Sequence, residues 1–359
     1  MRGQESSLYR KPQVNLSRST TGRMCLVCLC AVLALVQSSL TDSFNSLNIA
    51  LVAVLSAIFT EFLILLKTHR QGELKDGSAA ASALVFSLLL PNQIHPVYAV
   101  MGAVFAMVVV KHSFGGLGAN WMNPALGGWL FVRLSWSGVF EKALDNSLLS
   151  VLDAGFGDGI AAAQGSPLGI LKLISPPGFL AFGSYLDSTL RNFLNNTVFS
   201  LTGTELPSAY IDLLGSPFPG IIADRGLGAL LLGTLIIAAS QANRMLIPVV
   251  YLGVYGFFIY LFGALPYGGG MGEGDILFGF FTGGTMAAAF LLAADPAASP
   301  KSWGGIILSS VLAASLSYVF RYPGAEPYGA FFAVLFLNAL LPLIRDFESR
   351  RLYNKGRSP

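Results

Sequence analysis

"LLLPNQIHPVYAVMGAVFAMVVV" occupies residues 88–110 and "LLAADPAASPKSWGGIILSSVL" residues 291–312. In each stretch an apolar run stops near a proline, crosses a short gap, and resumes beyond a second proline: Pro91 and Pro96 bracket the first gap, Pro296 and Pro300 the second. Proline lacks an N–H and disfavours helix in the residue before it, so each stretch reads as one short helix, a break, and a second helix. The elements beyond them also repeat. A Gly-containing turn comes next, "FGGLGAN" at 114–120 and "YPGAEPYG" at 322–329, and then a last helix with an asparagine, Asn123 in "WMNPALGG" and Asn338 in "VLFLNALLP".

The rest of the chain sets these motifs in a membrane. Of 359 residues, 53% are hydrophobic and only 11% charged, whereas soluble domains carry charge at roughly a quarter of their positions. Apolar runs long enough to cross a bilayer, about 20 residues with scatter, fall near 24–40, 47–67, 77–91, 96–111, 121–136, 226–242, 245–266, 274–295, 303–320 and 328–345. The fold class expected is therefore an all-α membrane protein of about ten transmembrane helices. Counting crossings, the third helix and the eighth run in opposite directions, which makes the halves two inverted five-helix repeats. Inverted repeats with matching interrupted helices point to an intramembrane site at the repeat interface. The plainer alternative is two stretches that share only membrane composition.

Basic residues orient the chain. With the N-terminus inside, all of the Lys and Arg fall on the inner side except Arg133, Lys142, Lys172, Arg191, Arg225 and Arg321, so the positive-inside rule places both termini in the cytoplasm. The expected organisation is a cytoplasmic segment 1–23, a first repeat 24–136, a long extracytoplasmic loop 137–225, a second repeat 226–345 and a cytoplasmic tail 346–359. The loop has apolar stretches, but Lys172 and the pair Pro176-Pro177 interrupt the best of them. The N-terminal apolar run follows a long polar segment and precedes no small-residue cleavage site, which suits a retained helix.

Few residues carry chemistry. Glu61, in "AIFTEFLILL", sits within a span, where a carboxylate is costly unless paired, protonated or facing a cavity; it is a candidate for an ion path or cofactor contact, or else a glutamate reaching the headgroups. Asp76 and Asp295 sit at helix ends, where a carboxylate caps cheaply. Asn123, Asp295 and Asn338 join Glu61 as candidates lining an ion path. No metal site is expected: His95 and His112 flank one helix on opposite sides, and Cys25, Cys28 and Cys30 all fall in the first span without a full ligand set. "FGGLGAN" lacks the strand, lysine and spacing of a phosphate loop and reads as a tight turn. "TGGTM", at 282–286, reads as a close-packing glycine face within a helix. The net charge of +3 and the absence of basic runs interleaved with aromatics exclude nucleic acid as a partner.

Four segments, "DGSAAASALVFSLLLP", "KHSFGGLGANWMNPALGGWLF", "GGTMAAAFLLAADPAASP" and "YGAFFAVLFLNALLPLI", occur in an order that resembles the membrane protein family shared by RnfD and NqrB, components of the Rnf and Nqr complexes. The likeness covers about residues 47–346, and the short head is closer to RnfD. It implies a component of a respiratory complex in the bacterial inner membrane that moves electrons through flavins and iron–sulfur centres while pumping Na⁺ or H⁺. Members of the family carry S/T-G-A-T-P-L in the outer loop, with FMN esterified to the threonine before Pro-Leu. Here "AQGSPLG" stands in that place. Ser166 falls on the threonine, Gly165 on the alanine, Gln164 on the glycine, and Ala163 replaces the first hydroxyl residue.

The resemblance thus implies FMN, covalent at Ser166 or bound without a covalent link, with riboflavin as a further flavin. Its implied partners are the other membrane, flavin and iron–sulfur subunits, a flavin transferase, and membrane lipid. No catalytic residue is assigned, because no Cys₄ cluster motif or dinucleotide fingerprint occurs in the sequence. The expected function is coupling electron transfer between ferredoxin and NAD to ion pumping. Alternatives are the NqrB component of an Nqr-type NADH:quinone reductase, a secondary transporter with inverted repeats, and a flavin-free scaffold.

Overall fold

A computed structural model of the protein describes residues 20–41, 44–68, 76–113, 115–116, 120, 122–153, 185–197, 199–201, 214, 220–239, 245–267, 269–295, 298–300 and 302–355. Among these the chain is helical, with no strand and a single isolated antiparallel bridge between Pro91 and Ile221. The helices are α1 (Thr20–Thr41), α2 (Asn45–Thr68), α3 (Ser78–Leu88), α4 (Pro96–Phe105), α5 (Pro124–Ser135), α6 (Ser137–Asp153) and α7 (Tyr185–Thr197). Then come α8 (Ile222–Arg225), α9 (Leu227–Ala239), α10 (Leu246–Phe262), α11 (Ile276–Phe281), α12 (Thr285–Ala287), α13 (Trp303–Arg321) and α14 (Gly329–Lys355). Two π-helical segments, Ala106–His112 and Ala288–Ala293, prolong α4 and α12.

Among the described residues, four helices are long and apolar enough to cross a membrane: Thr21–Leu40, Asn45–Thr68, Trp303–Arg321 and Gly329–Phe347. Four shorter apolar helices are Ser78–Leu88, Pro96–His112, Leu227–Ala239 and Leu246–Phe262. Their large side chains divide by face. On α2, Leu51, Leu55, Phe59 and Phe62 are exposed while Ile49, Ala53 and Ala57 are buried, a pattern that turns leucine and phenylalanine outward and alanine inward. That inversion of the soluble rule suits a helix bathed in hydrocarbon, where only close packing favours the interior.

Polar side chains start three of the helices. His95 accepts from the Val97 N–H ahead of Pro96, Asn123 accepts from the Ala125 N–H at 2.9 Å ahead of Pro124, and Ser302 accepts from the Gly305 N–H at 3.0 Å. Each satisfies an N–H that the first helical turn leaves over. The gap after α3 is held inside protein: the Ile222 N–H donates to the Leu90 carbonyl at 2.9 Å, and Leu88, Leu89 and Leu90 are wholly buried. Irregular backbone at membrane depth requires such cover, because no water is there to bond it.

Two boundaries differ from the sequence reading. The run 274–295 is not one helix: Thr282 is extended, and Gly283 and Gly284 follow with φ of 66° and 67°. These glycines form a left-handed link, a conformation open chiefly to glycine, rather than a packing face within a helix. A side-chain carbon at Gly284 would strike the Phe331 ring. At the other end, α14 continues past Arg345 to Lys355, with an Arg350–Asp346 ion pair at 2.9 Å on its polar extension.

The two halves meet where α1 packs along α9. Gly226 and Gly233 make this approach feasible, since a Cβ at Gly233 would lie 2.8 Å from Cys30 Cα and one at Gly226 would strike the Ala34 backbone. Gln37 of α1 crosses as well, accepting from the Ala229 N–H at 2.6 Å. Gly233→Leu should therefore lower the melting temperature of the detergent-solubilised protein, by an overpacking cost of about 1–3 kcal/mol. Gly253→Ala on α10, where a Cβ meets nothing within 4 Å, should hold or raise it through helix propensity of roughly 1 kcal/mol. Size-exclusion of heated samples measures both.

Candidate functional site

Two buried cations organise the interior. The first is Lys111, 2% exposed, in the π segment that ends the α4 rod. Its ammonium is ion-paired with Glu61 of α2, itself 2% exposed, and donates to the Ser78 hydroxyl of α3 at 2.6 Å. His112 Nε2 lies 3.5 Å from the same Glu61 oxygen. Three helices are thus tied through one charge pair. Glu61 does not reach toward headgroups; it neutralises a lysine.

The second is Arg321, the last residue of α13 and 1% exposed. Its Nη1 donates to the Gly279 carbonyl at 2.7 Å, the Thr282 carbonyl at 2.9 Å, the Thr285 hydroxyl at 3.0 Å and the Tyr255 hydroxyl at 3.2 Å, while Nη2 donates to the Thr282 hydroxyl. Asp224, buried in α8, accepts from the Gly284 N–H at 2.9 Å and lies close enough to act electrostatically on Arg321. The guanidinium's fork suits this many fixed acceptors better than an ammonium would.

The clusters share a plan. Each cation sits just before the Gly-containing turn, and each donates to a hydroxyl at the first residue of a short helix, Ser78 of α3 or Thr285 of α12. Each of those residues follows a glycine with left-handed φ, 73° at Gly77 and 67° at Gly284. Asp76 caps the first start, accepting from the Ser78 N–H at 2.9 Å.

Of the residues singled out from sequence, Asn123 and Asp295 come together: Asn123 Nδ2 donates to Asp295 Oδ2 at 2.9 Å, joining the start of α5 to a residue two positions beyond the second π segment. Asn338 lies within α14, 1% exposed, and its carboxamide makes no hydrogen bond among the described residues. Glu61 belongs to the separate lysine cluster. Ser166 and the motif around it lie outside the described residues. No group of three or more potential metal ligands occurs among the described residues, and Cys30 donates to the Leu230 carbonyl at 3.7 Å.

Sequence reading missed Lys111, Arg321, Ser78, Thr285 and Asp224. Counting Lys111 and Arg321 as flanking charges treated them as loop residues, although both are interior groups. A signal was present, in "VVVKHSF" and "YVFRYPG", where a single cation closes an apolar run in each half. Nothing in one dimension shows that Glu61, 50 residues away, is the counter-ion.

This architecture defines a polytopic all-helical membrane protein whose short broken helices are anchored by buried cations. The chain belongs to the NQR2, RnfD, RnfE family, whose sequence model matches residues 7–354. It is similar to the D subunit of the proton-translocating ferredoxin:NAD(+) oxidoreductase complex of Clostridium ljungdahlii, 28% identical over 95% of this chain and 94% of that protein. The D subunit of the Na(+)-translocating ferredoxin:NAD(+) oxidoreductase complex of Acetobacterium woodii is 28% identical over 95% of this chain and 93% of its own. The D subunit of an ion-translocating oxidoreductase complex of Psychromonas ingrahamii is 29% identical over 95% and 97%.

Removing one partner of a buried ion pair leaves the other uncompensated, at about 3–5 kcal/mol. Glu61→Gln should accordingly reduce the yield of folded, membrane-inserted protein. Glu61→Gln combined with Lys111→Met should restore it, since neither charge then remains buried. Fluorescence-detected size exclusion of the two variants checks this, and equal yields for the single variant and wild type would remove Glu61 from the packing role.

Proposed function

We propose that this chain is the D subunit of an Rnf-type ion-translocating ferredoxin:NAD(+) oxidoreductase. As such it is a bacterial inner-membrane protein that carries a flavin and couples electron transfer to ion pumping. The observation that carries the reading is the near full-length likeness to relatives bearing that name. Those two relatives are named for different ions at the same identity, so the likeness favours neither H⁺ nor Na⁺ here.

The architecture proposed is ten spans in two inverted five-helix repeats with 137–225 on the outer side and both termini inside. Three features support it. Corresponding helices of the two halves meet in pairs, α1 with α9, and α5 with α14 through Trp129 against Phe331 and Phe332. Each half carries the same sequence of left-handed glycine, hydroxyl and buried cation. The Asn123–Asp295 bond joins the halves, which makes those residues, with the unpaired Asn338, the proposed lining of an ion path at the repeat interface. Glu61 serves that path by holding Lys111 neutralised.

The flavin reading rests on Ser166, whose hydroxyl supplies the one atom a phosphoester needs. Gly165 before it and Ala163 three positions back are small, a composition that suits modification by a flavin transferase. When bound, FMN supplies one- and two-electron chemistry, and the chain's part is to hold and orient it. Partner subunits bring the ferredoxin and NAD sites.

Intact mass of the protein, purified from cells that express its own flavin transferase, tests the proposal. The mass increment of one FMN ester is expected. Ser166→Ala should lose it while assembling normally, and Ser166→Thr should retain it. An unmodified wild-type mass that also releases no chromophore in a chaotrope would remove the flavin from this chain. For the topology, reporter fusions after Arg70, Arg244 and Glu348 should report cytoplasm and one after Asp187 the outer side; a cytoplasmic signal at Asp187 would break the ten-span order.

A further inference from the structure

A groove of about 550 Å³ runs between α5 and the α13–α14 hairpin. Leu130 lines one side, Phe320, Phe332, Leu335 and Phe336 the other, and Glu326 is the charged residue among its walls. Its size falls within the range of sites that take a small organic molecule or a chain of similar bulk. Phe336 and the nearby Leu134, 48% and 66% exposed, mark this as a surface that faces hydrocarbon rather than the core.

One end of the groove is polar in a particular way. Glu326 precedes α14 and pairs with Arg133 of α5 at 3.5 Å, and Arg133 pairs with Glu141 of α6 at 3.1 Å. The guanidinium is fixed over the Phe140 ring, 5.4 Å from its centroid. Two carboxylates thus face one cation. Arg133 Nε and Glu326 Oε1 are both shut away from solvent and make no hydrogen bond among the described residues. Buried polar atoms normally find partners, and the Arg133–Glu326 pair, whose carboxylate lines the slot, keeps one donor and one acceptor unused among the described residues.

We propose that this groove is a binding site for a phospholipid with a primary-amine headgroup, phosphatidylethanolamine. One acyl chain fills the slot between Leu130 and Leu335. The phosphate meets Arg133, and the ammonium meets Glu326 and Glu141. The alternation of charge selects this head: its phosphate suits Arg133, and its ammonium brings N–H donors to the carboxylates that flank the guanidinium, of which Glu141 is the more exposed. Phosphatidylglycerol offers the phosphate but no cation, and the choline head of phosphatidylcholine has no N–H to donate. Burial pushes the Glu326 carboxyl up while Arg133 pulls it back, and a second cation beside it strengthens the ionised form. Lipid retention in the groove does not depend on which complex the protein serves.

Native mass spectrometry of the full chain in a non-ionic detergent, offered equimolar phosphatidylethanolamine, phosphatidylcholine and phosphatidylglycerol of one chain length, reads the site. Phosphatidylethanolamine should be retained about tenfold over either competitor, the discrimination expected of one charge-assisted hydrogen bond. Leu335→Trp, which fills the slot, should abolish retention, and Glu326→Gln should bring the three lipids close to parity without abolishing it. Leu130→Trp repeats the filling test from the opposite wall should the first variant fail to fold. Equal retention of the three lipids by wild type, or retention unaffected by either tryptophan, overturns the proposal. So does efficient crosslinking of Leu335→Cys to a neighbouring protein in the intact complex, which would show that a protein helix covers the groove.

Discussion

A charge held inside a hydrocarbon-facing protein has to be satisfied by the protein alone, and the placement of Lys111 and Arg321 rests on that constraint. Each cation lies at the end of one helix and reaches the start of another, so it fixes the relative position of two elements that chain connectivity leaves free. Water cannot substitute for a missing partner at that depth, which raises the cost of any other arrangement. Through Glu61 the first cation also fastens α2, and through Tyr255 the second fastens α10. The helix order around each cluster follows from these few bonds more than from apolar contact, which has little preference among neighbours in a bilayer.

The two clusters meet the constraint by different chemistry. Lys111, a compact point charge, is matched by a formal carboxylate. Arg321 is surrounded mainly by neutral acceptors, two carbonyls, two threonine hydroxyls and a tyrosine hydroxyl, with Asp224 held one layer away by the Gly284 N–H. A planar fork with five donors can be solvated by dipoles in fixed places. The lysine cluster therefore depends on a single carboxylate for its charge, while the arginine cluster is spread over several acceptors, and the two should differ in how sharply they respond to substitution at any single position.

Broken helices follow from the same anchoring. The left-handed glycines Gly77 and Gly284 turn the chain so that Ser78 and Thr285 face a cation as their helices begin. Breaks elsewhere leave backbone groups to be satisfied, and Leu90 is bonded by Ile222 from a segment remote in sequence. Within this frame Asn123 and Asp295 satisfy each other, while Asn338 lies buried within α14.

The sequence by itself determined the helical class, the membrane setting and the helix starts at Pro96 and Trp303, and it displayed the Pro-broken motifs at 88–110 and 291–312, because hydropathy and proline act locally. It also marked Glu61 as a costly carboxylate within an apolar run, and Asn123 and Asp295 as candidates for lining an ion path. Only the tertiary structure decided who pairs with whom: Glu61 with Lys111, and Asn123 with Asp295 across 172 positions. It likewise decided that residues 282–284 break a run that hydropathy reads as continuous. The physical reason is range. Propensity and transfer energy are properties of neighbouring residues, whereas a buried ion pair or a close backbone approach exists only after helices distant along the chain have packed.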